Sequence, residues 1–374
     1  MENAVYMIAA ARTAVAPSGG SFKHLNYDML AAGVIQHCLK EVGLSNAQVD
    51  ELIVSNALGA GGNPARHVVL TAGLPKKIAG LSIDRQCVGG LDALLLGKAL
   101  ILSGQAQIVV AGGTESHSLR PKRYYKTVPE NDYIYKDQAP FMPPLYADPL
   151  MEVAADQLAQ KYSISQLEQD TWAIQSHAKA LKAKEKLRQE IIKIAEAPIP
   201  YDSFTRNLTL ETCQRAKAFS ASITAANTSV AADGAAFVVL VSEAIYKSLS
   251  LKRALRIMDG ETSGGNPELP GVAPIAVTKK LLERNRLTSV DIDAVELMEA
   301  YAVQAIVCAN ACGFSSEQIN RSGGALSRGH PIGASGAILA VRLFYELERV
   351  HSLGLASIAG AGGIASGILF EKVM

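Results

Sequence analysis

The chain has 374 residues, 49% of them hydrophobic, and carries 36 basic against 35 acidic side chains. This composition excludes a disordered chain, and the length allows two core-sized units. A formal net charge of +1 without a long run of one sign predicts no nucleic-acid partner. Apolar segments such as 93–102 are interrupted by charge and too short to cross a bilayer, so no membrane partner is expected either.

The cysteines and the chain ends suggest a compartment. Five cysteines are scattered at positions 38, 87, 213, 308 and 312. An odd, scattered set in a chain of this length predicts neither a disulfide framework nor a metal site. The first residues carry an acid where a secretory leader would carry a base, and the last residues match no common retention tail. We therefore expect a reduced, cytoplasmic location.

Strand and helix signals alternate along the chain, as is typical of α/β folds. A short β-branched run at 108–110 follows a long apolar helical stretch. Between 120 and 150 lie six of the 15 prolines and five of the 12 tyrosines, which predicts an extended loop excursion without regular structure. From 151 to 195 the pattern is helical, with Ser165 and Glu168 spaced as a capping box.

An internal repeat relates the two ends of the chain. With a displacement of about 243 residues, 43–53 lies over 286–296. Further on, an apolar helix followed by 108–116 resembles another apolar helix followed by 357–366. The repeat predicts two similar α/β halves, each with a sheet and helices packed on it.

The predicted boundary between the halves lies at residue 252. The first half, 1–252, carries an inserted loop and helical region at about 117–220, and the second half is 253–374. Neither a dinucleotide-binding nor a P-loop glycine motif occurs, so the sequence supports no nucleotide site of those kinds.

Cys87 lies in Asp84-Arg-Gln-Cys-Val-Gly-Gly-Leu, between a strand-like segment and a long apolar helix. Helix N-terminal amides stabilise a thiolate, and Gly89 and Gly90 let a substrate approach the backbone closely. The position fits a nucleophile, but free cysteines are among the most buried residue types, so a buried structural cysteine fits it as well.

His330 lies in a glycine-dense block, Gly-Gly-Ala-Leu-Ser-Arg-Gly-His-Pro-Ile-Gly-Ala-Ser-Gly at 323–336, again just before a helix. A histidine here can take a proton from Cys87, although a loop histidine is often structural. The loop Ala359-Gly-Ala-Gly-Gly can direct N–H groups at a developing oxyanion, or simply form a tight turn.

Together with Ala111-Gly-Gly-Thr-Glu-Ser and Glu299-Ala-Tyr-Ala, these motifs resemble the thiolase family of acetyl-CoA acetyltransferases and 3-ketoacyl-CoA thiolases, over essentially the whole chain. The resemblance implies two thiolase halves stacked as five layers, α/β/α/β/α, with a loop domain inserted over the substrate. It further implies a homodimer or homotetramer. The implied substrate is a coenzyme A thioester, an acyl-CoA, or else an acyl carrier protein thioester. The resemblance implies no covalently bound cofactor and no metal.

The resemblance also assigns roles to individual residues. The family's acyl-accepting nucleophile falls on Cys87, and the histidine that activates it falls on His330. Backbone N–H groups of Cys87 and Ala361 would form the oxyanion hole for acyl transfer.

Three positions depart from the family's pattern. The second cysteine, which deprotonates the second acyl-CoA or the incoming thiol, is replaced by Ala359. The asparagine or histidine that orients a water for the enolate is Met298, whose thioether donates no hydrogen bond. The serine of the pantetheine loop aligns with Asp259. Losing both an acid/base and an oxyanion donor predicts a loss of about 10⁴-fold or more in carbon–carbon chemistry.

Other side chains near these motifs have two interpretations each. Glu299 is a candidate acid or base in a dry pocket, or else a structural acid that accepts backbone hydrogen bonds. Cys308 and Cys312 could replace the missing cysteine, but their i, i+4 spacing in an apolar run favours helix packing. Three basic residues of the loop excursion either contact the phosphates of CoA or form a solvated surface: Arg120, Lys122 and Arg123.

Three hypotheses follow. The leading one is an acyltransferase that loads an acyl group onto Cys87 with the help of His330. The alternative is a catalytically silent homologue that binds acyl-CoA or serves as a subunit of a complex, because Ala359 and Met298 lack the expected chemistry. The third is a thioesterase-like hydrolase, which requires water to reach the acyl-enzyme.

Overall fold

The computed structural model describes residues 4–59, 61–136 and 138–374. Its β-strands are β1 (Val5–Thr13), β2 (Ala16–Pro17), β3 (Glu51–Ser55), β4 (Leu81–Ile83), β5 (Ile108–Glu115), β6 (Arg123–Lys126), β7 (Tyr133–Lys136), β8 (Ile191–Ile192), β9 (Ala232–Ser242), β10 (Leu255–Gly264), β11 (Ala294–Leu297), β12 (Leu353–Gly360) and β13 (Ile364–Lys372).

The α-helices alternate with these strands. They are α1 (Tyr27–Glu41), α2 (Pro64–Thr71), α3 (Gly89–Leu102), α4 (Met151–Tyr162), α5 (Gln166–Lys182), α6 (Lys184–Leu187), α7 (Leu210–Gln214), α8 (Glu243–Ser248), α9 (Ala273–Arg284), α10 (Ala302–Cys312), α11 (Ala325–Arg328) and α12 (Ile332–Glu346). Short 3₁₀ helices occupy Asn46–Gln48, Pro270–Val272 and Ser289–Asp291. Among the described residues, no helix combines the length and apolar character that a bilayer crossing requires.

Two sets of strands with the same internal pattern meet edge to edge. The first set has the order β4-β3-β5-β9-β1, and the second has the order β10-β13-β12-β11. In the first set β3 is parallel to β5, and β9 is antiparallel to both β5 and β1. In the second set β11 is parallel to β12, and β13 is antiparallel to both β12 and β10. The pairs Tyr6–Arg256 and Met7–Leu255 join β1 to β10, so hydrogen bonding continues from one half to the other.

Helices complete a stack of five layers. The central helices α3 and α12 pack on each other and contact strands of both sets. Helices α1 and α2 cover the outer face of the first set, and α9 and α10 cover that of the second. The predicted α/β/α/β/α arrangement of two similar halves is confirmed.

The two central helices touch at their first turns, where each has a glycine. A Cβ atom at Gly90 would overlap the backbone nitrogen of Ala337, and one at Gly336 would lie 2.5 Å from the backbone nitrogen of Leu91. Real Cβ atoms essentially never approach closer than 3.0 Å. Because backbone meets backbone here, only glycine permits this approach, which also brings together the residues that precede the two helices.

Buried ion pairs fasten the inserted region to this core. Arg12 of β1 donates to Glu190 at 2.6 Å and to the two oxygens of Asp202 at 2.6 and 3.0 Å. Arg342 of α12 donates to Glu190 as well, and to Glu346 at 2.6 Å. All of these residues are buried. Because each charge has a partner, removing one side chain would leave an uncompensated charge in the interior.

The segment 120–150, predicted to be a loop without regular structure, contains a hairpin instead. Strands β6 and β7 pair antiparallel from Arg123–Lys136 to Lys126–Tyr133. Four of the five tyrosines in this segment stand within the strands, in keeping with their high β-propensity, and Tyr146 lies outside them. The prolines flank the strands or lie in the turn.

The helical segment predicted for 151–195 ends early. Helix α5 begins with the predicted capping box, in which Ser165 and Glu168 exchange hydrogen bonds. Helix α6 ends at Leu187, and Ile191 and Ile192 form β8, which is parallel to β1. The adjoining pair of Arg12 and Glu190 holds this segment against β1, a tertiary contact that a local pattern does not reveal.

Replacing Gly90 by alanine should destabilise the protein more than the same change at Gly97 of the same helix. At Gly97 a Cβ would meet the tip of the Leu240 side chain at 2.9 Å, which can move, whereas at Gly90 it meets backbone. We expect Gly90→Ala to lower the free energy of unfolding by about 1–3 kcal/mol relative to Gly97→Ala. Urea unfolding of both variants measures this difference, and equal midpoints would contradict the proposed crossing constraint.

Candidate active site

Cys87 and His330 meet at the start of the central helices. Each lies two residues before its helix, Cys87 before α3 and His330 before α12. The Sγ of Cys87 lies 3.2 Å from Nε2 of His330. The backbone N–H of His330 donates to Val230 at 2.8 Å, which fixes the loop beside β9. The structure thus brings together the two residues that the sequence predicted as nucleophile and base.

Ser335 orients the imidazole from its other side. Its hydroxyl lies 2.6 Å from Nδ1 of His330 and donates to the carbonyl of Pro331 at 2.9 Å. A hydroxyl has one proton, so the oxygen accepts from Nδ1–H while it donates to Pro331. Nε2 of His330 therefore presents its lone pair to the thiol of Cys87.

Burial favours the neutral forms of this pair. It raises the pKa of the Cys87 thiol to about 12, although the backbone N–H groups of Ala361 and of Cys87 itself act to lower it. Burial also lowers the pKa of His330 to about 4, and nearby His117 acts in the same direction. Burial thus favours a neutral thiol that faces a neutral imidazole over a thiolate and imidazolium pair.

The glycine loop at 359–363 positions the backbone N–H of Ala361 near the sulfur of Cys87. The last two pairs between strands β12 and β13 are Ala359–Ala365 and Gly360–Ile364, and the chain then turns through Ala361. Gly362 and Gly363 have φ angles of +81° and +76°, which an L side chain rarely adopts. The turn directs the N–H of Ala361 towards Cys87, beside the cysteine's own N–H.

These groups open into a cavity of about 330 Å³ between α4, α10 and the 270–272 turn. Its described lining is mostly apolar and includes Ala359, Ala361 and Leu158. Among the described lining residues there is no lysine or arginine, and Glu152 is the one acid. Such a mostly apolar cavity suits the carbon chain of a small or medium acyl group.

Glu115, at the end of β5, ties the two halves together behind the pair. Its carboxylate accepts from the N–H groups of Ala57, Leu58 and Gly333 at 3.0–3.2 Å and from the amide of Asn56 at 2.8 Å. Burial raises its pKa to about 7, against the effect of these donors. Since Gly333 belongs to the first turn of α12, Glu115 helps to hold that helix against the first half.

Two of the three departures from the family's pattern, Ala359 and Met298, lie in different surroundings. Ala359 lines the cavity beside Cys87 and has no titratable group. Met298 is 1% exposed and packs in the central core instead of lining the cavity.

The position of Glu299 does not support a role as an acid or base in the cavity. It is buried, does not line the cavity and accepts from four donors: Trp172 Nε1, Ser176 Oγ, Asn320 Nδ2 and the Leu326 N–H, at 2.7–3.2 Å. This arrangement matches the structural interpretation of Glu299, in which the carboxylate joins α5 to α11.

The residues considered for CoA binding lie outside the cavity lining. Asp259 accepts from Arg284 at 2.6 and 2.7 Å and from Asn285 at 2.8 Å. Burial acts to raise its pKa, but these hydrogen bonds hold the pKa below its usual value. Arg120 donates to His117. Lys122 and Arg123 line a separate surface cleft.

The other cysteines have structural surroundings. Cys308 donates to the carbonyl of Gly271 at 3.2 Å, and burial raises its pKa to about 12. Burial likewise raises the pKa of Cys312 to about 11. Neither lines the cavity among its described residues. Within the described part of the chain, no group of three or more acidic, histidine or cysteine residues is arranged to hold a metal ion.

Sequence reasoning assigned no role to several residues of the site. Ser335 and Glu115 stand within the quoted motifs, five residues after His330 and within Ala111-Gly-Gly-Thr-Glu-Ser. The cavity is also lined by Thr228, which lies shortly before β9, and by Tyr301 and Gln304 at the start of α10. The motif Glu299-Ala-Tyr-Ala contains Tyr301, but no role was predicted for that side chain.

A five-layered fold that joins a cysteine and a histidine at its central helices is that of the thiolases. The family model described as "Thiolase, N-terminal domain" matches residues 5–244, and "Thiolase, C-terminal domain" matches 251–372. The chain belongs to the thiolase family, which is a family of acyltransferases.

Individual relatives and solved structures are similar to this chain over nearly its full length. The chain is 38% identical to YhfS of Bacillus subtilis (strain 168), provisionally named an acetyl-CoA C-acetyltransferase, with 99% of each chain covered. It is similar to the crystal structure of the Bacillus anthracis acetyl-CoA acetyltransferase, with a TM-score of 0.93, 31% identity and 99% of each chain covered. Human mitochondrial 3-ketoacyl-CoA thiolase in complex with CoA has a TM-score of 0.92 at 28% identity, covering 100% of this chain and 98% of that one.

Alkylation of Cys87 by iodoacetamide should vary little between about pH 6 and about pH 9, because thiol and imidazole are both neutral there and His330 accepts the proton during attack. The rate should fall as the pH decreases through about 4, where His330 becomes protonated. Peptide mass spectrometry of timed reactions gives the rate at Cys87 alone.

His330→Ala is the matched control for this profile. Without the imidazole the rate should follow the thiolate fraction and rise about tenfold per pH unit. A wild-type profile with a midpoint near pH 8 to 9 would instead indicate an ordinary free thiol and contradict the neutral pair.

Proposed function

We propose that this protein transfers acyl groups through an acyl-enzyme on Cys87, loaded from an acyl-CoA. The observation that carries the proposal is the 3.2 Å contact between Cys87 Sγ and His330 Nε2 inside an apolar cavity. CoA is present in the structures of the human 3-ketoacyl-CoA thiolase and of the Ascaris suum thiolase Acat5, which supports the choice of donor.

The proposed first half-reaction uses the groups described above. The Cys87 sulfur attacks the thioester carbonyl while its proton passes to Nε2 of His330. The carbonyl oxygen becomes an oxyanion and accepts from the N–H groups of Cys87 and Ala361. The bond from carbon to the CoA sulfur then breaks, and His330 returns the proton to the leaving thiolate. Ser335 accepts from Nδ1–H in both steps, so that Nε2 takes up the proton in the first step and releases it in the second.

The second half-reaction lacks its usual groups. Carbon–carbon bond formation needs a base for the α-carbon of a second acyl-CoA, and Ala359 has none. Met298 is a core residue and cannot hold a water by donating to it. We therefore propose that the acyl group passes to another acceptor, and that condensation and thiolysis are slow.

Residues outside the cavity have supporting roles in this proposal. Glu299 positions the α5–α11 junction, and Asp259 pairs with Arg284 rather than with pantetheine. Lys122 and Arg123 stay candidates for the CoA phosphates because their surface cleft carries positive charge. The boundary at residue 252, a cytoplasmic location and a homodimer or homotetramer stay predictions from the sequence and the resemblance.

Mixing the protein with acetyl-CoA and longer acyl-CoAs should give an acyl adduct on Cys87. Intact-protein mass spectrometry, followed by peptide mapping, measures the added mass and its position. The Cys87→Ala variant should carry no adduct because the other cysteines are buried or outside the cavity. Equal labelling of this variant would contradict the proposed nucleophile.

The alternative function is an acyl-CoA-binding homologue without catalysis. The alanine at position 359 favours it, because this residue lines the cavity where the family has an acid/base. Saturable acyl-CoA binding by the folded wild type, with no adduct from any donor, would favour this function over acyl transfer.

Ala359→Cys should raise the rate of acetoacetyl-CoA thiolysis. The substitution adds a thiol to the cavity wall beside Cys87, and general acid/base catalysis contributes about 10²- to 10⁴-fold. We expect an increase of at least about tenfold. The increase should stay below the full range because Met298 still provides no hydrogen-bond donor for the enolate. Spectroscopic assay of acetoacetyl-CoA consumption measures it.

Ala359→Ser is the matched control, because it adds a group of similar size with a far higher pKa. It should leave thiolysis near the wild-type rate. An unchanged rate in Ala359→Cys, in a variant that still acquires the acyl adduct, would show that the missing cysteine is not what limits carbon–carbon chemistry.

A further inference from the structure

Asp92 is a buried carboxylate close to the active site that the mechanism above does not use. It lies in the first turn of α3, shortly after Cys87, and is 2% exposed. One carboxylate oxygen accepts from the half-exposed guanidinium of Arg85 at 2.7 Å, and the other accepts from the hydroxyl of Thr262 at 2.6 Å. Each donor comes from a different part of the fold, so the carboxylate joins three elements through charge-assisted hydrogen bonds.

Arg85 belongs to the loop between β4 and α3 that presents Cys87. Between these two residues Gln86 has a φ of +50°, a left-handed conformation that a residue other than glycine adopts only where its surroundings hold it. The N–H of Gln86 donates to Asp84 at 3.0 Å, and the guanidinium of Arg85 donates to Asp92. The pair of Arg85 and Asp92 thus fastens the nucleophile loop to α3.

Thr262 belongs to β10 in the second half of the chain, where it pairs with Ser366 of β13. The two hydroxyl oxygens are 3.1 Å apart. Because the single proton of the Thr262 hydroxyl goes to Asp92, the Ser366 hydroxyl donates to Thr262. A chain of hydrogen bonds therefore runs from β13 through β10 to α3.

Strands β10 and β13 also hold the turn that contains Ala361. Their last pair is Gly264–Ile364. Just beyond it, the N–H of Gly265 donates to the carbonyl of Gly363 at 2.7 Å. The turn is therefore attached to the same two strands that connect to Asp92.

We propose that Asp92 is a positioning residue for the oxyanion hole, because it ties the loop of Cys87 to the strands that hold Ala361. This inference rests on the proposed function, since it takes the N–H groups of Cys87 and Ala361 as donors to the developing oxyanion. The two donors come from different halves, so their separation depends on contacts between the halves. Such donors act at about 2.7–3.1 Å from the oxyanion, and a displacement of about 1 Å can cost about 10²-fold in rate.

Two reagents that modify Cys87 separate this role from a general disturbance of the site. With p-nitrophenyl acetate, the sulfur bonds to the carbonyl carbon through an oxyanion, and the bond from that carbon to the phenolate oxygen breaks. The thiol proton passes through His330 to the leaving phenolate. With iodoacetamide, the sulfur displaces iodide from a saturated carbon and His330 takes the proton, so no oxyanion forms. Peptide mass spectrometry of timed reactions gives both rates at Cys87 and hence the ratio of acylation to alkylation.

Asp92→Asn should lower this ratio about tenfold, which is part of the 10²- to 10³-fold that one oxyanion donor provides. An asparagine side chain has one acceptor oxygen, so it can keep only one of the two hydrogen bonds. Thr262→Val and Arg85→Met each remove one donor and should lower the ratio in the same direction. Thr262→Ser keeps the hydroxyl and should retain the wild-type ratio.

Asp170→Asn is the matched control. Asp170 is another aspartate that is 2% exposed, and it accepts from the amide of Asn227 at 3.0 Å. It lies on α5, outside the described lining of the cavity. The same substitution there should leave the ratio unchanged, which separates positioning from the loss of a buried charge. Melting temperatures verify that each variant is folded, and Thr262→Val with Arg85→Met decides the matter if Asp92→Asn is not.

The outcomes distinguish this inference from the proposed function. An unchanged ratio in Asp92→Asn, or an equal decrease in acylation and alkylation, would overturn the inference. A wild-type Cys87 that p-nitrophenyl acetate does not acylate would also overturn it, because this reagent needs no CoA site. Acylation by p-nitrophenyl acetate but by no acyl-CoA would count against the proposed function alone, and the ratios would still decide the role of Asp92.

Discussion

The active site depends on the close approach of two helix backbones. At Gly90 and Gly336 the first turns of α3 and α12 are in contact, with no room for a Cβ on either side. Each helix comes from a different half and begins two positions after Cys87 or His330, the proposed nucleophile and base. The glycine contact therefore fixes the separation of Cys87 and His330, which are far apart in sequence. Glu115 reinforces it by accepting from the first turn of α12.

Sequence alone predicted the parts of the site that are encoded locally. Cys87 and His330 stand in glycine-rich blocks before apolar helices, and the internal repeat indicates that the blocks are equivalent positions of two halves. Glu299 and Asp259 could not be assigned in this way. Their partners come from other elements, Ser176 of α5 for Glu299 and Arg284 of α9 for Asp259, so their surroundings depend on tertiary packing.

Tertiary contacts also determine the two elements that the sequence pattern did not predict. Strand β8 exists because Glu190 pairs with Arg12 and holds the following isoleucines beside β1. The β6–β7 hairpin depends on alternating tyrosines that the nearby prolines obscured. In both cases a contact or pairing partner decides the structure, whereas the central helices are long apolar runs whose burial in a five-layered fold follows from composition.

The chemistry that this cavity retains follows from where charge would develop. In the proposed acyl loading, the proton would pass to His330 and the oxyanion would form beside the N–H groups of Cys87 and Ala361. Enolate formation would need a base at position 359, and the cavity supplies only a methyl group there. On the proposed function, the cavity is therefore better equipped to load one acyl group than to join two of them.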